Sequence, residues 1–161
     1  MNINESIEKI KTEIISILED NKPTIYLFGS IALNDFKLGW SDIDILVLTD
    51  SEITEQQAET LVGLRQALAE RYPNNHYFRL FEGGMLSIDA FLHNKKERTV
   101  YWGMSGQRIT DSYEMDSFGM AELHDSGILL YGKDIRSNMT YPAYSQMLDD
   151  TDCLCMTVDL L

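Results

Sequence analysis

The run Ile43-Asp44-Ile45-Leu46-Val47-Leu48-Thr49 constrains the fold of this chain more than any other stretch. Beyond Asp44 it is apolar on both faces and rich in β-branched residues. A strand of that kind must be covered on both sides, so it belongs at the centre of a sheet. Two carboxylates, Asp42 and Asp44, stand at its mouth. Residues two apart in a strand share a face, so both can meet one hard cation or two. Magnesium favours such carboxylates together with substrate phosphates and water. Asp-x-Asp alone is as readily a capping turn. At the entrance to a buried apolar strand, however, two like charges cost stability unless a cation joins them.

The rest of the chain supplies cover for that strand. Ile3, Ile7, Ile10, Ile14 and Ile17 recur at helical spacing and predict an amphipathic helix that Pro23 helps to stop. Thr24 to Phe28 reads as a buried strand, followed by Gly29-Ser30 and a short helical turn over Ile31 to Phe36. Leu61, Leu64, Leu68 and Tyr72 form the stripe of a second helix over Thr54 to Tyr72, ended by Pro73-Asn74-Asn75. Tyr77 to Phe81 and Met85 to Leu92 read as strands flanking Gly83-Gly84, a hairpin. Tyr101 to Thr110 resists assignment. Asp116 to His124 reads as a helix and Ile128 to Tyr131 as an edge strand, and from Ser137 onward the pattern weakens. The order predicts an α+β fold, a small mixed sheet with helices packed mainly on one side. We divide it into a catalytic domain over 1–137 and a C-terminal tail over 138–161, the stub of a helical domain.

Two further features stand at strand ends. Gly29 lets the backbone approach a ligand closely, and the helical start after it offers free N–H groups that suit a phosphate, with the Ser30 hydroxyl beside them. The P-loop spacing is absent. For Gly-Ser alone an ordinary strand-to-helix turn is the better explanation. Asp89 sits within the apolar run Leu86 to Leu92, where an acid needs a partner. Strand parity would put it with Ser87 and Phe91 on one face, able to join Asp42 and Asp44. The alternative is a wet position on a one-sided sheet.

Gly29-Ser30, then Asp42-x-Asp44, then a strand-borne Asp89 resembles the nucleotidyltransferase superfamily that includes DNA polymerase beta. Leu27-Phe28-Gly29-Ser30 and Ser41-Asp42-Ile43-Asp44-Ile45-Leu46-Val47 are similar to the aminoglycoside adenylyltransferases, and Gly127 to Asp134 to the stretch that closes their catalytic domain. The resemblance runs from Thr24 to Asp134. It implies two Mg2+ ions held by Asp42, Asp44 and Asp89, a triphosphate tail held by Gly29 and Ser30, and AMP transfer from ATP to a small hydroxyl-bearing acceptor such as an aminoglycoside. Asp89 would also serve as general base, with Glu82, at the hairpin tip, the weaker candidate. Relatives of this branch carry a helical C-terminal domain beside the acceptor. Here only a short tail follows Ser137, so either another subunit would complete the pocket or the gene product is shortened.

Charge and composition narrow the alternatives. The 161 residues are 44% hydrophobic and carry a net charge of −13. So acidic a surface does not suit phosphate-backbone contacts, so no nucleic acid is expected, and it suits a cationic acceptor. The sequence predicts neither a signal peptide nor a membrane span, and a cytoplasmic location. Cys153 and Cys155 are too few for a structural zinc site and read as a partly buried tail. His76, His93 and His124 lack metal spacing, and His124 reads as a helix-end partner. Tyr101-Trp102 reads as core before pocket wall, and Lys95, Lys96 and Arg98 as a solvated loop before a triphosphate contact. Two other functions remain in view. One is a regulatory antitoxin-type domain acting with a helical partner protein, a reading that a stable homo-oligomer without such a partner would count against. The other is a glycosyltransferase using Asp-x-Asp, which Gly29-Ser30 and Asp89 fit poorly.

Overall fold

The computed structural model describes residues 1–158, with side chains described to residue 151. The side chains of Cys153 and Cys155 lie outside the described residues. Helix α1 (Ile3–Leu18) opens with a capping box. Asn2 accepts from the Glu5 N–H at 2.9 Å, and Glu5 accepts from the Asn2 N–H at 2.7 Å. Its stripe Ile7, Ile10, Ile14 and Leu18 is buried. Strand β1 (Thr24–Phe28) follows, then the single turn α2 (Gly29–Ala32), which begins at Gly29 and not at Ile31. Strand β2 (Ile43–Thr49) has the predicted bounds, and α3 (Glu55–Arg71) starts on a Thr54–Gln57 capping box.

The expected hairpin around Gly83-Gly84 is absent. Tyr77–Leu80 is a 3-10 turn, and the glycines lie inside one strand, β3 (Phe81–Ser87). A Cβ on Gly83 would run into the Ile45 carbonyl, and one on Gly84 would lie 2.5 Å from the Tyr113 ring. Close packing demands these glycines, and no turn does. The chain then leaves the sheet as α4 (Ile88–His93), capped by the Ser87 hydroxyl, which accepts from the Ala90 N–H at 3.1 Å. Tyr101 to Thr110 is resolved as the hairpin β4 (Thr99–Gly103) and β5 (Gly106–Thr110). Helix α5 (Ser117–Ser126), edge strand β6 (Ile128–Tyr131) and a helix α6 (Tyr144–Val158) complete the chain. The weak pattern after Ser137 therefore hides a helix. Tyr144, Leu148 and most of its polar residues are exposed, and it is tied to α5 through Asp150, which accepts from the Ser117 hydroxyl and N–H.

The six strands form one mixed sheet in the order β5-β4-β3-β2-β1-β6, antiparallel except for the β2–β3 pair. The two long helices α1 and α3 pack on one face, against Ile25, Leu27, Ile43, Ile45, Val47 and Trp102. Tyr26, Phe28, Leu46, Leu48 and Leu86 point to the other face, where α4 and α5 contribute Ala90, Phe91 and Leu123. No helix among the described residues is long and apolar enough to cross a membrane.

Candidate active site

Three strand ends meet at one end of the sheet. Because β1 runs antiparallel to β2 and β3 parallel to it, the C-terminal end of β1 lies beside the N-terminal ends of the other two. Register fixes the neighbours: Phe28 opposes Asp44, and Asp44 opposes Glu82. Gly29, at φ +65°, abuts the Asp44 carboxylate so closely that a Cβ there would collide with it. The Ser30 hydroxyl donates to the Asp42 carbonyl at 3.4 Å and joins this turn to the loop before β2.

Asp89 is elsewhere. It was expected on a strand beside Asp42 and Asp44, but β3 ends at Ser87 and Asp89 lies in the first turn of α4. Five residues of strand, about 16 Å, separate Glu82 from Ser87, so Asp89 belongs to the opposite end of the sheet. There it is exposed and paired with Lys95 and His93, and the Lys95 hydrogen bond holds its carboxyl below the usual range. Parity failed because the Ser87 cap turns an apolar run into a helix. The strand position opposite Asp44 belongs to Glu82, which the sequence alone puts at a hairpin tip. A signal for it exists in the sequence: Phe81-Glu82-Gly83-Gly84-Met85-Leu86-Ser87 carries its acid second, as Ile43-Asp44 does in β2.

The charge at this end is mainly negative, although the buried Arg65 guanidinium couples to Glu82 and Asp42. Burial, followed by the charges of Asp42, Glu82 and Glu122, pushes the Asp44 carboxyl up to about 6. None of the ion pairs among the described residues involves Asp42, Asp44 or Glu82. Nor do three His, Cys, Asp or Glu side chains among the described residues converge to enclose a metal ion unaided. A crowded carboxylate set without a direct ion pair, forming only part of a coordination shell, fits a magnesium ion, which takes its other ligands from phosphates and water.

Beside these carboxylates opens a cleft of about 410 Å³, lined by Asp44, Glu82, Tyr101, Arg108 and Tyr113 among others. The Tyr101 hydroxyl donates to Glu82 Oε1 at 2.9 Å and fixes that carboxylate. Trp102, its neighbour, points the other way into the core and donates to the Leu61 carbonyl at 3.0 Å. Tyr113 packs on Gly84, and burial holds its hydroxyl well above the ordinary range. A larger groove of about 690 Å³ adjoins the cleft, sharing Glu114, Met115 and Asp116 and running between α4, α5 and α6. The basic loop lies away from the cleft. Lys95 pairs with Asp89, Lys96 with Asp111, and Arg98 donates to the Ile53 carbonyl at 2.9 Å. His124, in the last turn of α5, contacts Asp125 and the Tyr141 ring.

Residues 7–82 match the family model described as nucleotidyltransferase domain. A curated relative, spectinomycin 9-adenylyltransferase of Enterococcus faecalis, is 25% identical over 148 residues, which cover 89% of this chain and 56% of the relative. The crystal structure of an Enterococcus spectinomycin adenyltransferase, AAD(9), with ATP and spectinomycin superposes with a TM-score of 0.69 at 18% identity, covering 91% of this chain and 63% of that one. That superposition establishes the shared fold. A toxin–antitoxin structure with AMP-PNP reaches a TM-score of only 0.39 at 19% identity, over 92% of this chain and 87% of that one. The chain thus spans little more than half the length of the curated relative.

Proposed function

With a nucleotidyltransferase domain at residues 7–82 as the premise, we propose that this chain moves AMP from ATP onto a hydroxyl of a small, amine-bearing acceptor of the aminoglycoside or aminocyclitol kind. The observation that carries this reading is the row Asp44–Glu82 at the mouth of the central strands, with Asp42 beside it and Gly29 pressed against it. The spectinomycin relatives and the acidic cleft support the choice of acceptor.

In this reading Asp42 and Asp44 hold magnesium, with Glu82 alongside. The metal supplies neutralisation of phosphate charge and orientation of the phosphate oxygens. Gly29 and Ser30 receive the triphosphate on the β1 side: the glycine admits the backbone to the site and the serine hydroxyl adds a donor. Glu82 faces the cleft and takes the proton from the attacking hydroxyl. Its hydrogen bond from Tyr101 keeps one carboxylate oxygen occupied and leaves the other for that proton. The hydroxyl oxygen bonds to the α-phosphorus in line as the bond to pyrophosphate breaks. Residues 1–137 form the catalytic domain, and 138–161, which include α6, serve the acceptor side.

The test is calorimetric titration of ATP with and without magnesium, followed by assay of AMP transfer to spectinomycin. Wild type is expected to bind ATP in a magnesium-dependent manner, and Asp42→Asn with Asp44→Asn to lose both binding and transfer while staying folded. Transfer retained by that double variant would overturn the reading.

A further inference from the structure

The row of side chains does not stop at Glu82. Gly84, two residues on and on the same face, opposes Tyr101, and Tyr101 opposes Arg108. Gly103, two residues on from Tyr101 in β4, has no side chain, so the Tyr101 ring lies over it and reaches Glu82. The Arg108 guanidinium lies over that ring, 4.6 Å from its centroid. The sheet therefore presents, in order, Phe28, Asp44, Glu82, Tyr101 and Arg108 across a single face.

Three facts about Arg108 stand out. It is the only Lys or Arg among the residues lining the cleft, against four carboxylates, Asp44, Glu82, Glu114 and Asp116. It forms no ion pair among the described residues, although the chain carries twice as many acidic as basic residues. A cation–π contact with Tyr101 holds the guanidinium over the ring. An exposed arginine held by its face and not by a carboxylate keeps its N–H edge free for something else. Guanidinium groups only donate, so the occupant must offer oxygen.

The position says which substrate that is. On the proposed reading the triphosphate lies at Gly29 and Ser30, on the β1 side of Asp44, whereas Arg108 lies on the opposite flank, two strands beyond Glu82. We propose that Arg108 is the acceptor-reading residue: from its Tyr101 platform it binds a carbonyl, ether or hydroxyl oxygen of the acceptor next to the hydroxyl that faces Glu82. This sets the orientation of an amine-bearing acceptor. Its oxygen-rich edge lies along β4–β5, and its ammonium groups, repelled by Arg108, point toward Glu114 and Asp116.

The experiment rests on the adenylyltransferase reading but separates from it. Spectinomycin and ATP binding are measured by calorimetry with magnesium in wild type, Arg108→Gln and Arg108→Lys, beside steady-state transfer. The expected result is a rise of tenfold or more in the spectinomycin Kd and KM of Arg108→Gln, an intermediate effect in Arg108→Lys, and an unchanged ATP Kd. An unchanged spectinomycin Kd, or a loss confined to ATP, overturns the assignment of Arg108. A wild type that binds spectinomycin without transferring AMP overturns the proposed reaction and still leaves the Arg108 comparison readable from binding. A wild type that binds no spectinomycin overturns the acceptor class and the orientation drawn from it.

Discussion

Gly29 and Asp44 share one small volume, so a single methyl group tests whether that closeness matters. At φ +65° an alanine is strained by about 1 kcal/mol, and its Cβ displaces the Asp44 carboxylate. Gly29→Ala should keep its circular dichroism spectrum, melt slightly lower and lose at least tenfold in magnesium-dependent ATP affinity. Full affinity in this variant would mean that the turn is only a connection. Tyr101→Phe removes the hydroxyl that fixes Glu82 and keeps the ring under Arg108. Its kcat should fall about tenfold with the ATP KM unchanged. An equal fall in Tyr101→Phe and Tyr101→Leu would instead assign the effect to packing. At this scale the placement of Asp44 at the mouth of β2, with Asp42 just before it and the Gly29-Ser30 turn beside it, was legible, because a strongly apolar strand has well-marked ends. The third acid was not. Asp89 stands out in sequence through apolar neighbours, yet those neighbours belong to a capped helix. Glu82 hides beside two glycines that read as a turn until the atoms pressed against them are seen.

Elements with a strong period were legible, and those shaped by close contact were not. The bounds of β2 follow from its β-branched run, and α1 and α3 from their stripes and capping boxes. The β4–β5 hairpin gave no clear alternation because Tyr101 faces the cleft and Trp102 the core, so neither face reads as polar. What fastens this hairpin to the sheet is Arg65 of α3. Its buried guanidinium donates to the Phe81 carbonyl at 2.6 Å, the Gly103 carbonyl at 2.9 Å and Gln107 Oε1 at 3.2 Å. It reaches the start of β3 and the turn between β4 and β5 together. Arg65→Met conserves much of the volume but strands two buried carbonyls, a loss of about 2–3 kcal/mol. Urea unfolding should show a lower midpoint at unchanged slope. Because Arg65 supports the strand that carries Glu82, transfer activity should fall even under conditions where the variant is fully folded. A stability within about 0.5 kcal/mol of wild type would show that water replaces the guanidinium.

At the scale of the molecule, the chain carries a charge of −13, and part of it is drawn together where the function is proposed to lie. Folding brings Asp44 under Asp42, Glu82 and Glu122 and partly buries it, raising its carboxyl from 3.8 to about 6. The folded chain therefore binds a proton there that the unfolded chain has already released. Between about pH 4 and pH 6 the native state holds more protons, and stability falls as pH rises through that window. The ceiling on the effect is about 3 kcal/mol, from the size of the shift, and solvent at the cleft will reduce it. In the chelated protein the difference in unfolding free energy between wild type and Asp44→Asn should thus widen from pH 4 to pH 7, with the asparagine variant the more stable at neutral pH although inactive. Magnesium with ATP should reverse the order, since only wild type binds it, by RT ln(1 + [L]/Kd). Denaturation curves of the two proteins at pH 4.5 and pH 7, with and without the metal-nucleotide, read all four corners. An asparagine variant that is less stable than wild type at pH 7 without metal would mean that Asp44 has a structural partner and that its charge is already neutralised. If the order reverses only when metal and nucleotide are both present, the instability of this end of the sheet is the binding free energy held in reserve for the substrate.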